Sequence, residues 1–299
     1  MRLAIAALLL TACGVPDGAL EGRPCPCIEG WVCQDSICVR ERDAVDGGPV
    51  DQGTTEPDQG TPDMFEAEDL GQDMPLDMGP PGPVFAITCE SSTATFVPDA
   101  TGNGFDGICR GGGCPPLATE GAIGSACDFT DAVHLEIDIP AGSRLDVPAS
   151  GADFSLAFWF RPDVFTFTSS FSRPYGSSTA NSWEFYFSTT MTGTRPTWWR
   201  VTDDSRDDLH APELTTTGEW HHMAVVVDAT ADEVTLYFDG VEAGAVAGST
   251  FLYDDHPILI GADENDGVRD NHFRGLLDEL YFYDRVISEA EITELATRP

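Results

Sequence analysis

Residues 218–244, GEWHHMAVVVDATADEVTLYFDGVEAG, admit little besides a pair of β-strands. His222, Ala224 and Val226 fall on one side of an extended chain, and Met223, Val225 and Val227 fall on the other. After a polar turn at 228–233, Val234, Leu236 and Phe238 alternate with Thr235 and Tyr237. A period of two, written in branched and aromatic residues, is the pattern of a pleated strand with at least one buried face. The same period returns where Phe154, Leu156, Phe158 and Phe160 oppose Ser155, Ala157 and Trp159, and where Trp183, Phe185 and Phe187 oppose Glu184 and Tyr186. Further runs lie at 134–139, 197–202, 257–260 and 276–283, separated by Gly, Asp and Pro. Together they predict an all-β fold, a two-sheet antiparallel sandwich, and exclude one built from βαβ units. A single short helix near 288–295 is signalled by the S-x-x-E capping box of Ser288 and Glu291, with Ile287 placed to staple onto Ile292.

Three motifs carry a family resemblance. The W-H-H-x-A-V strand at 220–225, the L-Y-F-D-G turn at 236–240 and the ending F-x-G-x-x-D-E-x-x-x-Y-x-R-x-x-S-x-x-E-I at 273–292 resemble the laminin G-like members of the concanavalin A-like jelly rolls. The resemblance extends over 83–299 and implies a jelly-roll domain that binds glycan or protein and does not catalyse. It also implies a structural Ca²⁺. The stretch Asp99-Ala-Thr101-Gly-Asn103-Gly104 resembles the D-x-S-G-N-G motif of these domains, and Asp99, Asn103, Asp278 and Glu279 stand where such relatives hold calcium. By spacing alone the loop also matches the first half of an EF-hand, but its twelfth position is Arg110 where that motif requires Glu.

Signs of catalysis are incomplete. His134-Leu135-Glu136-Ile137-Asp138 resembles the E-x-D core of jelly-roll β-glucanases, whose strand ends in a second Glu serving as the acid. Here Pro140 and Ala141 occupy that place, so the leaving group has no proton donor. His221 and His222 are adjacent on a strand and face opposite ways, which suits packing better than shared ligation. No G-x-S-x-G occurs. The expected ligand contacts are Trp198, Trp199 and Arg200, where aromatic faces and a guanidinium suit a sugar ring or an aromatic partner.

Charge and cysteines organise the rest of the 299 residues. The formal net charge is −36 and every basic residue is Arg, which excludes phosphate-driven binding of nucleic acid and all lysine chemistry. Residues 1–12, MRLAIAALLLTA, read as a signal peptide, and Leu10-Thr11-Ala12-Cys13 resembles a bacterial lipobox with Cys13 as the lipidated residue. Gly14 after it implies sorting to the outer membrane and display at the cell surface, held by acyl chains and not by a spanning helix. Removing Cys13 leaves eight cysteines in two groups of four, as an oxidising compartment favours. Cys25, Cys27, Cys33 and Cys38 form a compact module at 13–40 with two connectivities open. Cys89, Cys109, Cys114 and Cys127 are also expected in disulfides. Between module and domain, 41–82 is an acidic Pro/Gly-rich linker. From 43 to 80 it holds eleven Asp or Glu against a single aromatic, Phe65, and repeats DQGT, a composition that predicts a disordered spacer.

Overall fold

The computed structural model describes residues 81–110, 112–130, 133–147, 151–176, 180–201 and 206–297, with the backbone alone of 31–34 and 37–40. The chain divides into two units, Met1–Asp73 and Met74–Pro299. In the first, β1 (Trp31–Gln34) and β2 (Ile37–Arg40) form an antiparallel hairpin. The expected lipidation of Cys13, the signal peptide, the side chains of Cys25, Cys27, Cys33 and Cys38, and nearly all of the linker lie outside the described residues.

The second unit opens with β3 (Phe85–Ile87), β4 (Phe96–Val97), β5 (Gly107–Arg110), β6 (Leu117–Ala118), β7 (Ala126–Asp128) and β8 (His134–Ile137). Longer strands follow: β9 (Phe154–Pro162), β10 (Thr168–Pro174), β11 (Asn181–Thr189), β12 (Thr194–Val201) and β13 (Arg206–His210). The central pair is β14 (His221–Asp228) and β15 (Glu233–Phe238), then β16 (Val241–Ala247) and β17 (Ile258–Ile260). The hairpin β18 (Asp263–Asn265) and β19 (Val268–Asp270) precedes β20 (Gly275–Tyr283) and the helix α1 (Glu289–Leu295).

Apart from the β18–β19 hairpin, which pairs only with itself, these strands make two antiparallel sheets. One runs β13-β12-β11-β10-β17-β8-β5-β4, and the other β16-β15-β14-β9-β20-β7-β6, with β3 also paired to β20. The 218–244 segment forms the hairpin its alternation predicts, Val225 standing across from Leu236 and Val227 across from Val234. The inner faces meet in one core, where Phe154, Leu156, Phe158 and Phe160 of β9 face Phe171, Trp183 and Phe185 of the opposite sheet. Strand β12 begins three residues before the predicted 197, because Pro196 reads as a break from sequence yet is accommodated in the pairing with Phe187.

The two outer faces differ. On the second sheet, Ala157, Ala224, Val226, Tyr237 and Tyr283 are covered by Ile287 and Ile292 at the helix. That cover explains why β14 is apolar on both sides. Ser288 caps α1 through the predicted box, its hydroxyl accepting from the Glu291 amide while the Glu291 carboxylate accepts from the Ser288 amide. The outer face of the first sheet carries polar and aromatic residues, and among the described residues no helix covers it. Cys89 joins Cys127 and Cys109 joins Cys114, as expected for the later cysteine group.

Candidate functional site

The outer face of the first sheet is assembled by alternation on three neighbouring strands, with Glu184, Tyr186 and Trp199 themselves largely buried on it. On β11, Trp183, Phe185 and Phe187 enter the core, so Glu184 and Tyr186 face outward. Trp198 enters the core from β12, which turns Trp199 outward, and Leu209 does the same on β13, turning Asp208 and His210 outward. Pairing places Glu184 across from Trp199, and Trp199 across from Asp208. The Arg206 guanidinium lies 4.1 Å over the Trp199 ring and 5.6 Å from that of Tyr186. It forks onto Asp208 at 3.1 and 2.8 Å and donates to the Tyr186 hydroxyl at 3.1 Å. Phe167, 49% exposed, lies 5.3 Å from Tyr186. Burial, then the Asp208 carboxylate, pushes the Tyr186 phenol up. The result is an aromatic strip with a cation and a carboxylate along one edge.

Beneath the strip sits a buried polar cluster. Glu184 accepts from the indole N–H of Trp199 and from Asn181 Nδ2, the latter at 3.0 Å. Burial pushes its carboxyl upward and the charge of Asp263 pushes it further. Asp263 is raised chiefly by burial as well. To one side, His256 bridges Asp254 at 2.6 Å and Glu264 at 3.1 Å, and Arg269 is paired with Glu264.

The three residues expected to bind ligand are not brought together. Trp199 joins the strip, but Trp198 is a fully buried core residue and Arg200 is 1% exposed. Arg200 is engaged inside the sandwich, donating to Asp207, Ala247 and Gly248. The physical reason is strand geometry: positions 198 and 200 share the inner face and 199 does not.

The side chains of the expected calcium set do not come together in one group. Asp99 accepts from the amides of Ala86, Thr101 and Phe105 and from the Thr101 hydroxyl, so its oxygens knit their own loop. Asn103 donates to the Val84 carbonyl at 2.9 Å. Asp278 accepts from the Ile123 and Glu279 amides at 3.0 and 2.9 Å. Glu279 sits at φ +49° in the irregular stretch of β20 and meets the Tyr281 hydroxyl. Among the described residues no three His, Cys, Asp or Glu side chains converge on one point, so Asp99 is not joined to Asp278 and Glu279.

Glu136 is bound by Arg110 at 3.1 Å and Arg269 at 3.0 Å. Burial would raise its carboxyl, but the two guanidinium groups outweigh burial and hold it below the usual range. Asp138 lies beyond the end of β8 and is exposed. His222 is buried edge-on to Trp159, ring centroids 5.3 Å apart, whereas His221 bonds Asp239 at 2.9 Å. A separate cavity of about 320 Å³ opens by the helix, lined by Trp159, Glu279, Tyr281, Tyr283, Arg285 and Glu294 among others. It reaches Gly82 and Pro83, at the edge of the described residues.

The residues sequence reasoning missed are Phe167, Tyr186, Arg206, Asp208, Asn181 and Asp263. One signal was present: Glu184 is a lone carboxylate between two core aromatics, placed to face the same side as Tyr186.

Comparison with known proteins agrees with this architecture. A laminin G family model, described as the concanavalin A-like lectin/glucanases superfamily, matches residues 136–293, more than half of the chain. No curated protein matches the sequence. Among solved structures, domain 4 of the extracellular arabinanase AbnA from Geobacillus stearothermophilus, in complex with arabinotriose, superposes with a TM-score of 0.55. Identity is 20%, over 72% of this chain and 98% of that one. The binding domain of Paraclostridial Mosquitocidal Protein 1 gives a TM-score of 0.53 at 16% identity, over 72% of this chain and 52% of that one. The binding domain of botulinum neurotoxin DC, in complex with rat synaptotagmin II, gives 0.50 at 9% identity, over 72% and 51%. At these identities the likeness speaks to the fold alone. With the sandwich, its strand order and the matched segment in agreement, the chain belongs to the concanavalin A-like lectin/glucanases superfamily.

Proposed function

We propose that this domain is a non-catalytic glycan-binding module of a lipid-anchored surface protein, and that sugars lie along the strip formed by Phe167, Tyr186, Arg206 and Asp208. The observation that carries the reading is that strip itself: the exposed Phe167 ring and the edge of the largely buried Tyr186 beside a forked Arg–Asp pair open to solvent, on a sheet face where no described helix lies. Aromatic faces take the apolar side of a sugar ring, while guanidinium and carboxylate donate to and accept from its hydroxyls. An open face suits a polymer better than a single small molecule. The arabinotriose complex of the same fold supports testing oligosaccharides first. Pro140 and Ala141 stand where a β-glucanase strand places its acid Glu, and both Glu136 oxygens are engaged by arginines, which supports a binding role over a hydrolytic one.

The test is a glycan array followed by titration calorimetry on the best ligand, with Tyr186→Ala and Arg206→Ala. Each variant is expected to weaken binding on the order of tenfold, since single interface anchors are worth about 1–2 kcal/mol. Unchanged affinity in both variants moves the site elsewhere on the domain. Capture of a surface protein without any glycan signal replaces the sugar with a protein ligand. For the anchor, Cys13→Ser is expected to release the protein from membranes and abolish acyl labelling. Membrane retention of that variant removes the lipid from the reading.

A further inference from the structure

The cavity beside the helix lies on the outer face of the second sheet, which the aromatic strip does not share, and alternation builds it as well. On β9, Phe158 and Phe160 enter the core and turn Trp159 outward. On β20, Leu280 and Phe282 enter the core and turn Tyr281 and Tyr283 outward. The two tyrosine rings lie 6.2 Å apart, and the Trp159 indole donates to the Leu295 carbonyl at 3.0 Å, where α1 ends. The irregular stretch of β20 between Asp278 and Tyr281 delivers Glu279 to the same cavity, and α1 adds Glu294. Three rings and two carboxylates therefore share a space of about 320 Å³, within the range of small-molecule sites.

The charge of this space is unbalanced. Arg285 stands at its wall, 5.1 Å over the Tyr283 ring, but its donors are already taken. Its Nε donates to the Pro81 carbonyl at 2.8 Å, and its terminal nitrogens donate to the Glu291 carboxylate at 2.6 and 3.2 Å. The ion pairs among the described residues leave Glu279 and Glu294 without a cation. No basic residue stands in the last turn of α1, so its carbonyl end adds partial negative charge. Rings and uncompensated carboxylates together are complementary to a cation that carries its own apolar surface; a bare metal ion would make no use of the rings. The chain has no lysine, hence no alkylammonium side chain of its own to place there. We propose that this cavity binds a primary alkylammonium group from outside the chain, its charge paired with Glu279 and Glu294 and its stem against Tyr281, Tyr283 and Trp159. Free amines and the lysine side chains of a partner protein carry the same group. The site lies on the opposite sheet from the strip and stands whether or not the strip binds sugar.

The test titrates the purified full chain by calorimetry and heteronuclear NMR, in chelator-containing buffer at about pH 8 so that Glu279 is ionised. The probes are n-butylammonium, its uncharged counterpart n-butanol, and lysine capped at both ends as its acetyl methylamide. Butylammonium is expected to bind saturably at one site, on the order of tenfold or more tighter than butanol. Tyr281→Leu removes one ring and Glu294→Gln one charge, and each should weaken it on the order of fivefold to tenfold. Glu294→Arg, at an exposed position on α1, should abolish it, whereas Tyr186→Ala on the strip should leave it unchanged. Tighter binding of capped lysine than of butylammonium assigns the site to a partner's side chain, and the reverse order assigns it to free amines. Equal affinity for butylammonium and butanol overturns the proposal, as does the absence of saturable amine binding. So does amine binding that survives Glu294→Arg or is lost in Tyr186→Ala. Should Tyr281→Leu not fold, the two Glu294 variants decide the outcome by the same loss or retention.

Discussion

Arg200→Met is expected to lower the unfolding free energy by about 3–5 kcal/mol, the range for leaving a buried charge network without one partner. The guanidinium is buried inside the sandwich. Its Nε donates to Asp207 at 3.0 Å, and its two terminal nitrogens donate to the carbonyls of Ala247 at 2.9 Å and Gly248 at 2.6 Å. Asp207 belongs to β13, at one edge of the first sheet, and the two carbonyls lie at the end of β16, at one edge of the second. One side chain therefore ties the two sheet edges together. Phe251 lies 5.2 Å below the guanidinium, and Gly248, at φ +93°, would bring a Cβ to 3.0 Å from its NH2 group. Methionine keeps most of the volume and fills gaps readily, so the loss reports the hydrogen bonds and charge and not a cavity. Urea unfolding followed by tryptophan fluorescence measures it. Arg206→Ala, on the exposed strip, is the contrast and should cost about 1 kcal/mol or less. If Arg200→Met costs no more than that, the bridge between the sheet edges contributes little.

Arg200 also shows where the sequence was legible and where it was not. The core was legible, because Phe154–Phe160 and Trp183–Phe187 alternate strictly and both sets enter the interior. The helix was legible because Ser288 and Glu291 satisfy a local rule that needs no tertiary contact. The rule that separates His221 from His222 separates Trp199 from Trp198 and Arg200 as well, and applied there it removes two of the three expected ligand contacts. What no local rule supplies is which strands become neighbours. Tyr186, Arg206 and Asp208 are joined by the pairing of β11, β12 and β13, and Glu184 meets Asp263 only because the β18–β19 hairpin folds near β10. The loop at Asp99 resembles a calcium motif, yet its side chain is occupied by amides from β3 and from its own turn. Sequence shows the oxygens but not the donors that reach them first.

Stability is expected to fall as the solution becomes alkaline, with the folded domain weaker at about pH 8 than at about pH 5 by at least roughly 3 kcal/mol. Burial pushes the carboxyls of Asp278 and Glu279 up to about 7, and each lies near further negative charge, Glu279 for the one and Glu90 for the other. A raised carboxyl holds its proton in the folded chain after the unfolded chain has released it. Its contribution is therefore complete below the unfolded values of 3.8 and 4.5 and is lost as pH rises through about 7. His222 works in the opposite sense. Burial lowers it from 6.5 to about 4, against the attraction of Asp239, so its contribution is complete above 6.5 and is lost as pH falls through about 4. At about 1.4 kcal/mol per pH unit, His222 and the likewise burial-lowered His134 offset part of what Asp278 and Glu279 lose across the shared window. The buried carboxyls of Glu184 and Asp263 add to that loss, and the carboxyls prevail. Like-charge repulsion in a chain of net charge −36 adds in the same direction. Urea midpoints in chelator-containing buffers across this pH range give the profile. Asp278→Asn should flatten the alkaline fall, and His222→Asn should steepen it by removing one opposing group. A profile that rises steadily toward about pH 8 in the wild type would mean that these carboxyls are already ionised in the folded chain.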